Sequence, residues 1–168
     1  MAAYPTEAVW GLGCDPDNRS AVMRILHLKG RAVDKGLILI AAAIADIEPY
    51  LSGLSTAERA HLAATWPGPV TWLVPVADCG PDWITGGRET IALRVTRHPV
   101  AAGLCRAFGG PLVSTSANPQ GLPPATSVTK VKAYFGKDID ACCPGRVGTA
   151  ARPSEIRDLR SGAIVRAG

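Results

Sequence analysis

Three cations, Lys29, Arg31 and Lys35, crowd the stretch KGRAVDKG, with Asp34 the one carboxylate among them. The stretch ends an amphipathic helical pattern and precedes the apolar run Leu37-Ile38-Leu39-Ile40. Like charges repel, so their gathering at a helix-to-strand junction points to an anion held there. The competing reading is of solvated loop cations, and it suits any one of the three taken alone. Lys29 also closes the helix, where a positive charge suits the dipole. Thirteen of the 18 cations are Arg, the side chain whose planar fork grips phosphate or carboxylate with two bonds.

Other polar groups fall where a ligand could use them. In Ser114-Thr115-Ser116-Ala117-Asn118, a period of two sets Ser114, Ser116 and Asn118 on one side, at the mouth of a strand. Such groups bond phosphate oxygens, a ribose or an amino acid, or simply make a turn. Arg94 falls opposite Ile91, Leu93 and Val95 in a short apolar strand. A charge there needs a partner, either a structural carboxylate or that of a ligand. In YPTEAVWGLGCD, Gly11 and Gly13 form a GxG that either cradles a phosphate or turns the chain. No GxxxxGK[ST] occurs, so a P-loop is excluded, and no GxSxG supports a serine nucleophile. His27, His61 and His98 lie far apart, with no metal-ligand spacing. The chemistry these residues suggest is the binding of an anion.

The elements that must position these groups alternate along the chain. Asp17-Asn18 caps a helix over Arg19–Leu28 that Gly30 stops, with Val22, Ile25, Leu26 and Lys29 on one face. Residues 36–42 read as a buried strand. Ser55-Thr56-Ala57-Glu58 is a capping box whose helix ends near Trp66-Pro67. Pro67-Gly68-Pro69 is a rigid turn into a strand over Val70–Val76. Ile91–Val95 and Leu112–Ser116 follow as strands, separated by a helix over Pro99–Phe108. A helix over Ser127–Phe135 and short strands over Ile139–Cys143 and Ala163–Arg166 complete the pattern. This is a single α/β domain of 168 residues with an open, twisted, mixed sheet and flanking helices.

A net charge of +4 permits an anionic ligand without demanding nucleic acid. The five cysteines, Cys14, Cys79, Cys105, Cys142 and Cys143, contain no CxxC, which suits a reducing compartment and no disulfide framework. Adjacent Cys142 and Cys143 read as small core residues. No apolar run nears the roughly 20 residues of a bilayer span. Met1-Ala2-Ala3 leads straight into Tyr4-Pro5-Thr6 without a signal peptide, so the cytoplasm is expected, with no membrane partner.

Six segments in order, YPTEAVWGLGCDP, KGRAVDKGLILI, WPGPVTWLVP, ALRVTRHP, PLVSTSANPQGLPP and PSEIRDLRSGAIVRAG, resemble the YrdC family across nearly the whole chain. The resemblance is to its short single-domain bacterial threonylcarbamoyl-AMP synthases. It implies an open α/β fold with a basic concave cavity. It implies a reaction that joins L-threonine, bicarbonate and ATP into threonylcarbamoyl-adenylate and releases pyrophosphate. Downstream proteins then transfer the threonylcarbamoyl group to tRNA, next to the anticodon. Mg²⁺ would arrive with ATP, and no protein-ligated metal is implied.

By the same resemblance Lys29, Arg31 and Lys35 hold the triphosphate, and Lys29 and Arg31 are the catalytic pair. Ser116 and Asn118 close on the nucleotide, with Thr90 and Arg166 lining its site. Arg94 grips threonine's carboxylate, with Ser114, Ser154 and Thr6 nearby. Ala8 departs from the Thr of many members, which removes one hydroxyl from the threonine side. The family carries about 20 further residues before YPTE, a helix and the start of a strand, and their loss would uncover an apolar sheet face. An RNA- or nucleotide-binding module without synthesis is the alternative. A broad basic stripe and exposed aromatics would favour RNA, and aromatic residues are only 5%. Carbamoyltransferase chemistry is a third reading, weakened by the lack of the larger enzymes' added segments.

Overall fold

The computed structural model describes residues 1–76, 80–150 and 152–168, which leaves Cys79 outside. Its strands are β1 (Ala2–Pro5), β2 (Trp10–Gly13), β3 (Ile38–Ala41), β4 (Val70–Pro75) and β5 (Thr90–Val95), then β6 (Leu112–Ser116), β7 (Ala141–Cys142), β8 (Glu155–Asp158) and β9 (Ile164–Arg166). The helices are α1 (Arg19–Lys29), α2 (Thr56–Thr65), α3 (Asp82–Thr85), α4 (Pro99–Phe108) and α5 (Val128–Phe135). Among the described residues the strands form one open mixed sheet in the order β7-β1-β2-β6-β3-β5-β4-β8-β9. The central pair β3 and β5 is parallel, and β6 and β4 flank it antiparallel.

The helix ends follow local chemistry. The Asn18 side chain accepts from Ala21 N at the start of α1, and Gly30 ends it at φ 61°. Few residues but glycine take that left-handed turn without strain. Ser55 and Glu58 form the reciprocal capping box of α2. Val22, Ile25, Leu26 and Lys29 are the buried face of α1, as the spacing predicts.

Alternation along the central strands decides which side chains meet the helices and which meet the cavity. Leu39 and Ala41 of β3, with Ile91, Leu93 and Val95 of β5, join the large core with α1 and α2. Ile38, Ile40, Ala92 and Arg94 point the other way. On that second face α4 covers one end, where Tyr4, Ile40, Ala101, Cys105 and Leu112 form a smaller core. The rest of the face stays concave.

Three readings change. The GxG stretch is not a loop: Trp10–Gly13 is an inner strand, paired antiparallel with β1 and β6. A β-carbon on Gly13 would lie 2.4 Å from Val113 O, so glycine is there for close packing, not phosphate. Glu155–Asp158, unassigned by pattern, is a strand against β4. Cys142 is exposed and so is not a core residue, while Cys143 is half-buried and packs against the edge of the smaller core. They lie in or beside a two-residue strand that, among the described residues, is the sheet's edge. Cys14 and Cys105 are the buried thiols, and all four are free. Among the described residues no helix is long and apolar enough to cross a membrane.

Candidate active site

The concave face holds a cavity of about 410 Å³, floored by β3, β5 and β6. Arg31, Lys35, Arg88, Arg94 and Arg166 line it. Among the described residues Glu7 is the only carboxylate in that lining. Five cations against one anion make the cavity strongly basic.

One wall is the KGRAVDKG loop. Past Gly30 the Arg31 N–H bonds back to Leu26 O at 2.9 Å, which turns the loop sharply off the helix. Arg31 Nη2 donates to Gly36 O at 3.0 Å and Lys35 O at 3.3 Å, while its Nε is buried without a partner. Burial first, then the Arg88 charge, lower the Arg31 pKa, and Asp34 works against them. Lys35 closes a short 3-10 turn, Val33–Lys35.

Lys29 does something different from its neighbours. It is 4% exposed, and its ammonium is spent on the protein. Nζ donates to Ser116 O, to Asn118 O at 2.7 Å and to Asn118 Oδ1 at 3.3 Å. The Ser116 hydroxyl donates to the same Oδ1 at 2.7 Å. Lys29 therefore staples the end of α1 to the strand-end loop that carries Ser116. Burial first, then the Arg31 charge, pull its pKa down to about 8. Lys29 and Asn118 stand one layer behind the cavity wall. The other predicted positions, Thr6, Arg31, Lys35, Thr90, Arg94, Ser114, Ser116, Ser154 and Arg166, all line it.

The facing wall is built on Arg94. Its Nε donates to Gly68 O at 3.0 Å, which gives the Pro67-Gly68-Pro69 turn a second task beside shaping the chain. Its Nη2 lies 2.5 Å from Glu7 Oε1, off the N–H direction, so that nitrogen has no hydrogen-bond acceptor. Both options open at the sequence level meet here: Arg94 has a structural carboxylate and still faces the cavity. Glu7 Oε1 also accepts from Thr96 Oγ1 at 2.8 Å, Arg97 N at 3.0 Å and His98 N at 3.2 Å. Burial raises the Glu7 pKa, but the Arg94 charge and these donors outweigh it, and the net shift is down. Arg166 Nη2 donates to Ser154 O at 2.7 Å, and the Ser154 hydroxyl meets Thr71 Oγ1 at 2.9 Å. Burial, then the Arg31 and Arg94 charges, lower the Arg166 pKa.

Glu7, Arg88 and Thr96 belong to the site and were not predicted for it. Glu7 sits between two loop-like neighbours, and no spacing rule relates it to Arg94. Among the described residues no three of His, Cys, Asp and Glu gather where they could hold a metal ion.

The family model named Sua5_yciO_yrdC, described as telomere recombination, matches residues 1–168. The chain belongs to the Sua5/YciO/YrdC family. A Cellvibrio japonicus relative named threonylcarbamoyl-AMP synthase is 58% identical over 166 residues, 99% of this chain and 88% of that protein. An Escherichia coli relative of the same name is 51% identical over 170 residues, 100% of this chain and 89% of that protein. P. abyssi Sua5, solved complexed with L-threonine, is similar at TM-score 0.86 and 32% identity, over 94% of this chain and 46% of that one. E. coli YciO shares the fold at TM-score 0.84 and 24% identity, over 98% of this chain and 81% of that one. The YrdC-type sheet is thus a family frame.

Proposed function

We infer that this chain is a threonylcarbamoyl-AMP synthase that joins L-threonine, bicarbonate and ATP and releases pyrophosphate. The observation that carries the reading is the cavity's charge: among the described residues, five cations and one carboxylate line it. Relatives of that name cover essentially the whole chain at 51–58% identity.

On this reading two groups of residues share the substrates. Arg31 and Lys35 take phosphate oxygens of ATP, with Thr90, Ser116 and Arg166 around the nucleotide. Arg94 takes the amino acid's carboxylate, with Ser114, Ser154 and Thr6 beside it. The Thr6 hydroxyl donates to Val9 O at 2.7 Å, which leaves its oxygen lone pairs to accept from a ligand. Threonine's amine and bicarbonate condense to a carbamate with loss of water. The carbamate oxygen attacks the α-phosphorus, the bond to the β-phosphate breaks, and pyrophosphate departs. The carbamate is already an anionic nucleophile, so the protein supplies alignment and charge neutralisation rather than a base. Lys29 acts from behind, holding Ser116 and Asn118 in register. Mg²⁺ would arrive with ATP as part of the substrate, held by phosphate oxygens and water. The product's use on tRNA requires further proteins.

Pyrophosphate release by the purified chain, with ATP, Mg²⁺ and bicarbonate, tests this. Release that needs both threonine and bicarbonate is expected. Release indifferent to threonine, or none with ATP binding intact, would overturn the synthase reading.

A further inference from the structure

Arg88 lies outside the KGRAVDKG run, on a different segment, yet it reaches the same point. The turn that carries it, Gly86-Gly87-Arg88, follows α3 and leads into β5. Gly86 takes φ 70°, and a β-carbon there would lie 2.6 Å from Asp34 O and 2.9 Å from Gly36 N. Gly36 presses back: its β-carbon would lie 3.1 Å from Thr85 O. Between them Leu37 N donates to Ile84 O at 2.8 Å. Two loops distant in sequence thus meet backbone to backbone. That contact fixes where the Arg88 side chain begins.

Its guanidinium then meets that of Arg31. Arg88 Nη1 donates to Lys35 O at 3.1 Å, the carbonyl that Arg31 Nη2 also approaches at 3.3 Å. Two guanidiniums converge on one carbonyl oxygen, with the Lys35 ammonium on the same loop. Among the described residues none of Arg31, Lys35, Arg88 and Arg166 makes an ion pair. Asp34 partly offsets the charge on Arg31. Each guanidinium keeps N–H groups beyond those given to carbonyls, and Arg31 Nε is buried with no acceptor at all. Cations arranged this way repel until a multivalent anion neutralises them.

We propose that Arg88 is a phosphate-binding residue of the reaction, gripping the leaving pyrophosphate together with Arg31. The inference rests on the nucleotide reading of this cavity given above. Arg31 and Arg88 come from opposite sides of the interlocked loops, so their two forks clamp a diphosphate where one could only touch it. Charge that develops on the leaving group is met by groups already in place.

Inorganic pyrophosphate is the probe, titrated calorimetrically into the intact wild-type chain and into Arg88→Ala, Arg88→Lys and Arg31→Ala. Arg88→Ala is expected to weaken pyrophosphate about tenfold or more, and Arg88→Lys to recover part of that. L-threonine titrated into Arg88→Ala should bind as in wild type, which separates loss of an anion ligand from general damage. Arg88 is exposed and spends one described bond on the protein, so its variants should fold, and Arg88→Gln serves the same comparison should alanine unfold the loop. Pyrophosphate affinity within twofold of wild type in Arg88→Ala, with Arg31→Ala weakened, overturns the role of Arg88 alone. No change in either variant overturns the phosphate site itself.

Discussion

Glu7 is where one atom's environment makes a strong prediction. In Glu7→Gln the amide oxygen can still accept from Thr96, Arg97 and His98, but the charge facing Arg94 is gone. The Arg94 and Glu7 side chains are only 10% and 19% exposed, so solvent screens the pair weakly. Removing one partner of a buried ion pair costs about 3–5 kcal/mol, and the residual exposure and retained bonds place this case at the low end, about 3 kcal/mol. The Glu7 pKa is depressed below its ordinary 4.5, so its stabilisation is present at neutral pH and fades as pH falls through the folded value. Urea denaturation of wild type and Glu7→Gln at pH 7 should show the full gap. Repeated at successively lower pH below 4.5, the gap should narrow. The functional readout is separate: with Arg94 held only through Gly68 O, KM for threonine should rise about tenfold while kcat falls less. A stability gap under 1 kcal/mol at pH 7, or one that widens in acid, would refute the account of the pair. An unchanged KM for threonine would detach Arg94 from the amino acid.

Lys29→Met tests the staple by linkage. The folded pKa of about 8 lies below the ordinary 10.5, so the unfolded chain binds more protons between those values. Wild-type stability should therefore rise relative to the variant by about 3 kcal/mol between pH 8 and pH 10.5, measured by urea denaturation, and a flat difference would place the ammonium in water. Arg31→Ala should slow threonine-dependent pyrophosphate release by about a hundredfold, and a loss under fivefold would remove Arg31 from the phosphates. Gly13→Ala must displace both Val113 O and Tyr4 and should cost about 2 kcal/mol or more, read as a lowered Tm with the secondary structure retained.

What the sequence determined by itself were the features that depend on near neighbours. The caps at Asn18 and Ser55, the stop at Gly30 and the buried stripe of α1 are local, because capping and helical periodicity act within a few residues. The two faces of β5 were equally legible, since a strand's period of two assigns Arg94 to one side without knowing what lies there. Lys29, Arg31, Lys35, Arg94, Ser114, Ser116 and Asn118 were legible from crowding and spacing, whereas Thr6, Thr90, Ser154 and Arg166 were named only through likeness to a family. The tertiary structure decided everything that needed a partner far along the chain. Glu7 meets Arg94 across 87 positions and Arg88 meets Lys35 across 53. Only the sheet order brings those segments together. It also decided that Lys29 supports the wall and Arg31 faces the cavity, though both are cations two residues apart. A sharp turn at Gly30 points one side chain inward to the carbonyls of Ser116 and Asn118 and the other out to the cavity. Charge and spacing are the same for both, and only the direction of the backbone separates their roles.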